Sequence, residues 1–145
     1  MTARKRAGIP AVGIFGVLLS ACSGTPPTNI GVQSNGELKP CSSKPNCVSS
    51  MATDDKHKIA PLNAGQDQWE RLPGVLESMP RITIVQQDGN YLYAEASTRL
   101  MGFVDDLEFL YKPDEAVIHV RSASRLGYSD LGANRKRMES IREKL

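Results

Sequence analysis

Apolar residues return at Trp69, Leu72, Leu76 and Met79, the three-and-four spacing of one helix face, which predicts an amphipathic helix over residues 66–79. Pro73-Gly74 should kink or split it, because proline lacks an N–H and clashes with the preceding turn. After Pro80 the period changes from helical to two. Residues 82–86, 91–98, 103–111 and 117–122 read as strands, joined by Gln87-Asp88-Gly89-Asn90, Arg99-Leu100-Met101-Gly102 and Lys112-Pro113-Asp114-Glu115. Connections this short and rich in turn formers make an antiparallel meander. Leu131, Met138, Ile141 and Leu145 then place one apolar stripe on a closing helix, with Ser129 or Asp130 as its N-cap and Asn134 turned inward. The predicted fold is α+β: a four-stranded antiparallel meander sheet with an N-terminal kinked helix and a C-terminal helix on one face.

Side-chain alternation also predicts a register. A turn centred on Leu100-Met101 sets Leu92 against Phe109 and Ala94 against Leu107; one centred on Pro113-Asp114 sets Phe109 against Ile118 and Leu107 against Val120. One face is then wholly apolar. The other carries two polar rows, Glu95–Asp106–Arg121 and Tyr93–Glu108–His119, expected as a solvated lattice of ion pairs.

The first forty residues follow a different pattern. Arg4, Lys5 and Arg6 precede an apolar stretch at residues 9–19, too short to span a bilayer, which ends at Leu19-Ser20-Ala21-Cys22. These four residues resemble the bacterial lipoprotein box. The resemblance implies a signal peptide over residues 1–21, a diacylglycerol thioether on Cys22, and acylation of the freed amine with a chain such as palmitate. Three acyl chains hold a protein on a membrane where one would bind marginally. Ser23, where an aspartate would signal inner-membrane retention, favours the periplasmic face of the outer membrane. Residues 22–40 mix turn formers with few apolar anchors and read as a flexible tether reaching about 20–25 Å, with a single domain over residues 41–145.

Charge changes the picture once the signal is set aside. The whole chain has 18 basic and 16 acidic side chains, but three of the basic ones lie in residues 1–21, so 15 face 16 in the remainder. Nucleic-acid binding, which needs a concentrated basic face, loses its compositional support and is not expected. With Cys22 acylated, Cys41 and Cys47 form an even pair outside the cytoplasm, and the turn-forming residues between them predict a disulfide. Their spacing matches neither a common zinc pattern nor C-x-x-C, so no metal and no cofactor are expected.

The stretch of residues 121–132 collects two arginines, three serines and a helix start, the groups that bind phosphate or carboxylate. Arg121, Ser122, Ser124 and Arg125, with Glu95 and Asp106, are therefore the candidate ligand-binding residues, although Asp105, Asp106 and Asp130 offer salt-bridge partners that would explain both arginines. Glu95, Asp106 and His119 are the candidates for acid/base work in an alternative hydrolase or transferase acting on envelope material. No phosphate loop, dinucleotide fingerprint, zinc-protease motif or nucleophile elbow occurs.

Several motifs recur together: Cys41 with Pro45-Asn46-Cys47-Val48-Ser49-Ser50, His57 with Ile59-Ala60-Pro61-Leu62, Trp69, and Tyr93-Ala94-Glu95 with Thr98. Others are Gly102-Phe103-Val104-Asp105-Asp106 with Glu108-Phe109, and Arg121-Ser122-Ala123-Ser124-Arg125 with Gly127, Asp130-Leu131-Gly132 and Asn134-Arg135. In these the chain, from Pro40 to Leu145, resembles the bacterial and plastid family called domain of unknown function 1499. The resemblance implies one envelope-associated domain and supports the cysteine pairing, and brings no reaction, cofactor or partner. The expectation is a lipid-anchored periplasmic module that is not an enzyme and binds an anionic envelope ligand or a protein partner. An outer-membrane scaffold is the third reading.

Overall fold

The computed structural model describes residues 24–28 and 30–145. The signal segment and Cys22 lie outside the described residues. The elements are β1 (Cys47–Ser49), β2 (Leu62–Asn63), α1 (Gln66–Ser78), β3 (Ile82–Asp88), β4 (Tyr91–Ser97), β5 (Val104–Lys112), a 3-10 turn (Pro113–Glu115), β6 (Val117–Ser124) and α2 (Ala133–Lys144). This is an α+β fold with an antiparallel sheet. The sheet has six strands where four were expected, in the order β1-β6-β5-β4-β3, with β2 also on β6. The meander of β3 to β6 is as the alternation predicts. The addition has a physical reason: an edge strand bares unpaired N–H and C=O groups. On the outer edge of β6, β1 covers Arg121 to Ala123 and β2 covers Val117 and Ile118.

The apolar face carries the main core. Trp69, Leu72 and Leu76 of α1 and Met138 and Ile141 of α2 pack with Leu92, Ala94, Leu107, Phe109, Ile118 and Val120 of the sheet. Trp69 also stacks on Tyr111, ring centres 5.6 Å apart. The assignment of α1 continues through Pro73 without a break. Leu131 departs from its expected place. It lies before α2, at φ +53°, and is 90% exposed, because the helix starts later than expected. Gly132, left-handed at φ +79°, is the N-cap in place of Ser129 or Asp130, and Asp130 closes the turn ahead of it, its carbonyl accepting the Ala133 N–H at 3.1 Å and its Oδ2 the Asn134 N–H at 2.8 Å.

Register follows the prediction between β4 and β5, where Leu92 faces Phe109, Ala94 faces Leu107 and Glu95 faces Asp106. Between β5 and β6 it differs by two residues, so that Phe109 faces Val120 and Leu107 faces Ser122. The cause is the connection: Pro113–Glu115 makes a 3-10 turn and Ala116 adopts a left-handed conformation, which gives a four-residue loop instead of a two-residue one. An even slip preserves which face each side chain occupies. It changes the cross-strand partners: Arg121 stands opposite Glu108, not Asp106, and His119 opposite Leu110, not Glu108.

The second difference concerns residues 30–40, expected as part of a flexible tether. They lie across the polar face of the sheet as a strap. Leu38 is buried with Tyr91, Tyr93 and Leu110, and Ile30 and Met51 pack beside them. Gly31, at φ +109° where only glycine is at ease, donates its N–H to Glu108 Oε1 at 2.8 Å, and Lys112 Nζ donates to the Gly36 carbonyl at 3.1 Å. The polar face is therefore covered, not solvated.

Candidate functional site

Under the strap, alternation along β4, β5 and β6 brings Tyr91, Tyr93, Glu95, Asp106, Glu108 and Arg121 to one side. Low-dielectric surroundings make an unpaired charge there prohibitive, so every carboxylate has donors. Glu108, fully buried, accepts from Gly31 N–H, from the Tyr91 hydroxyl at 3.0 Å and from Arg121 Nη1 at 2.8 Å. Asp106 receives Arg125 Nη2 at 2.7 Å and Nε at 3.0 Å, and the Tyr93 hydroxyl at 2.7 Å. Arg125 Nη2 also bridges to Glu95, the most exposed carboxylate of the set.

The electrostatics follow from that packing. Burial opposes the Arg125 charge, but its hydrogen bonds to Asp106 and Glu95 outweigh the loss of water and raise its pKa further above the ordinary arginine range. Burial also pushes the Tyr91 phenol up, and Glu108 beside it adds to the shift; burial and Asp106 do the same to Tyr93. Both hydroxyls are thus held as donors.

Of the predicted site residues, the structure brings Arg121, Ser124, Arg125 and Asp106 around one cavity of about 220 Å³. Lys39, Asn46 and Thr25 complete much of its wall. The disulfide builds the floor beside them: Cys41 and Cys47 are bonded, Cα atoms 5.7 Å apart, and the intervening Asn46 donates to the Gly127 carbonyl at 3.1 Å. Arg121 is 8% exposed; among the described residues its guanidinium meets one acceptor, Glu108, and its buried Nε meets none. Guanidinium is a fork of five donors, so this one is under-used.

Two candidates fall outside that cavity. Ser122 lies on the other face under α2, fully buried, its hydroxyl donating to Asn134 Oδ1. Glu95 does not line the cavity and joins its residues through Arg125 Nη2 and through the Tyr93 hydroxyl, which donates to Glu95 Oε1 at 2.9 Å. Asn134 is fully buried, as its place on the helix stripe predicts, and donates to Ser124 Oγ at 3.0 Å and to the Asn46 carbonyl at 3.1 Å, not to the backbone of the serine-arginine loop. Asp105 and Asp130 serve elsewhere, the first pairing with Arg137 at 2.7 Å and the second at the start of α2.

His119 stands apart from the carboxylates proposed to work with it. Its Nδ1 lies 3.0 Å from Ser50 Oγ and its Nε2 3.4 Å from Glu115 Oε2. The order serine, histidine, carboxylate invites comparison with a nucleophile and its base. Ser50 Oγ, however, already accepts the Val120 N–H at 2.9 Å, so the trio ties the end of β1 to β6. His57 has a similar tying role, with Nδ1 2.8 Å from Asp54 and Nε2 2.9 Å from the Lys44 carbonyl in the disulfide loop. The His57 ring holds the Asp54 carboxyl below its ordinary range.

The sequence reading missed Lys39, Asn46, Glu108 and the two tyrosines as site residues. Alternation already placed Tyr93 and Glu108 in one row; the missing signal was that anything covers the row. Among the described residues no cluster of His, Cys, Asp and Glu is arranged to hold a metal ion, and no helix is long and apolar enough to cross a membrane.

A protein-family model described as "Protein of unknown function (DUF1499)" matches residues 37–145. No curated protein and no solved structure matches the chain.

Proposed function

We propose that this chain, which belongs to the DUF1499 family, is a lipid-anchored, periplasm-facing module of the cell envelope whose cavity binds a small ligand through a carboxylate or phosphate oxygen. One observation carries the ligand: Arg121 is buried in the cavity wall with donors, Nε among them, that meet no acceptor among the described residues. Burying an N–H without a partner costs about 1–3 kcal/mol, which an incoming oxyanion would recover. Lys39 and Arg125 in the same wall offset the charge of Asp106, and the Ser42 hydroxyl adds a neutral donor. Glu108 and Asp106 are saturated with donors from the protein, which leaves the ligand to Arg121. The anchor draws support from the Leu19-Ser20-Ala21-Cys22 box, and the compartment from the bonded Cys41–Cys47 pair, since disulfides persist outside the cytoplasm.

The module is non-catalytic in this reading. A carboxylate that accepts three donors is a poor proton shuttle, which weakens the case for Asp106, and His119 is occupied between Ser50 and Glu115.

Arg121→Lys is the informative variant, because lysine keeps the charge facing Glu108 while removing Nε and the fork. Native mass spectrometry of the purified mature protein should show a bound mass that Arg121→Lys loses while the variant still unfolds cooperatively. A ligand-free spectrum, together with no chemical-shift response to inorganic phosphate or acetate, would overturn the ligand and leave the scaffold. An unmodified thiol at residue 22 would remove the anchor.

A further inference from the structure

Gly24 lies at the same end of the sheet where the exposed apolar side chains gather. Gly24 packs so closely on the loop after β6 that a Cβ there would sit 3.2 Å from the Arg125 Cβ and 3.3 Å from the Leu126 Cγ. The β4–β5 loop meets this loop, since Thr98 and Phe103 line one cleft with Leu126 and Leu131. From these two loops Leu100, Met101, Leu126, Tyr128 and Leu131 project, exposed by 91%, 60%, 40%, 69% and 90%. Among the described residues the other exposed large hydrophobics are Val32 and Val85, one in the strap and one in β3.

Scattered exposed leucines need no explanation, but a group confined to one end marks an interaction surface. Leu131 strengthens the case, because its left-handed backbone at φ +53° is a conformation that leucine rarely adopts. Exposed Arg99 flanks Leu100, and the mixture of leucine, methionine, tyrosine and arginine is that of segments lying at a lipid interface. The occupant follows from where the chain goes. Gly24 follows Cys22 by two positions, with Ser23 alone between them, at most about 7 Å of extended chain. An acyl group on Cys22 would therefore hold this end, and no other, against the bilayer.

We infer that the domain docks on the membrane holding its own acyl chains, with Leu100, Met101, Tyr128 and Leu131 immersed in the lipid interface. The inference rests on the acylation of Cys22 proposed above. It replaces the picture of a domain standing clear of the headgroups on a long tether.

The test uses the full acylated protein in phosphatidylethanolamine–phosphatidylglycerol vesicles, with the environment-sensitive fluorophore NBD on Leu100→Cys, on Leu131→Cys, or on Asp114→Cys at the opposite end of the sheet. All three positions are on exposed loops, and the Cys41–Cys47 bond remains closed. Flotation with the vesicles reads the anchor, and quenching by doxyl-labelled lipids reads the docking. The expected result is flotation of all three, with blue-shifted and lipid-quenched emission at 100 and 131 and neither change at 114. Flotation with all three probes alike would overturn docking and leave the anchor standing. A blue shift at 100 and 131 without lipid quenching would assign the patch to a second protein and also overturn it. Failure to float would remove the anchor, and this inference with it.

Discussion

The two faces of one sheet are buried to a similar degree by opposite chemistry. Leu107 and Phe109 on one side and Asp106 and Glu108 on the other alternate along β5, and all four are at most 2% exposed. The apolar side is held by area removed from water, which is indifferent to direction and tolerates any well-packed cover, here α1 and α2. Desolvation on the polar side is unfavourable and is offset only by placed donors: Arg121, Arg125, Tyr91, Tyr93 and the Gly31 amide. The side of a helix lying across the sheet could not supply a backbone donor, because N–H groups beyond the first turn are spent within the helix. An irregular strap with a glycine at positive φ can turn an amide onto a carboxylate.

Truncating each side in turn is the largest test. Phe109→Ala opens a cavity and should cost about 3–5 kcal/mol, and Glu108→Ala, which strands the buried Arg121, should cost a similar 3–5 kcal/mol. Urea unfolding compares them. If Glu108→Ala costs under about 1 kcal/mol, the polar face is solvated after all. The two faces should also differ in repair: replacing Glu108 and Arg121 together by methionine should recover part of the loss, whereas a second truncation on the apolar side, Leu107→Ala added to Phe109→Ala, should deepen it.

A smaller effect comes from the disulfide. Cys41→Ser should lower stability by about 2 kcal/mol, since the bond closes a short loop. Hydrogen exchange should show faster opening at Asn46 and in the strap than beneath the helices, because the loop belongs to the polar side. Equal change on both faces would contradict this.

The smallest expected effect is in pH. Tyr91 and Tyr93 have folded pKa values above their ordinary value of 10.0. The unfolded chain loses these protons first, so their contribution is complete below pH 10 and declines as pH rises through the folded values. Alkaline melting curves should fall in this range, and Tyr91→Phe should flatten the fall. An unchanged slope in the variant would dissociate Tyr91 from it.

Much of this was legible locally. Trp69, Leu72 and Leu76 at helical spacing, and the strict alternation of Leu92, Ala94, Leu107 and Phe109, are consequences of backbone period, which acts residue by residue. The pairing of Cys41 with Cys47 needed only a short loop of turn formers. Asn134 was placed inward by spacing alone, though its partner Asn46, distant in sequence, was not foreseeable. Val85 shows the limit: with Ile82, Ile84 and Val85 apolar the period of β3 is ambiguous, and a bulge between Ile84 and Gln86 turns Val85 outward.

The sequence by itself determined the type of each main element, the face each residue of β4, β5 and β6 occupies and the chemistry of both faces. Only the tertiary structure decided that β1 and β2 close the edge of β6, that Ala116 shifts the last hairpin by two residues, and that residues 30–40 cover the charges. Periodicity is a property of a few adjacent residues. Edge capture, a left-handed turn residue and the burial of an ion pair are each set by differences of a few kcal/mol between partners far apart in the chain, and no local pattern records them.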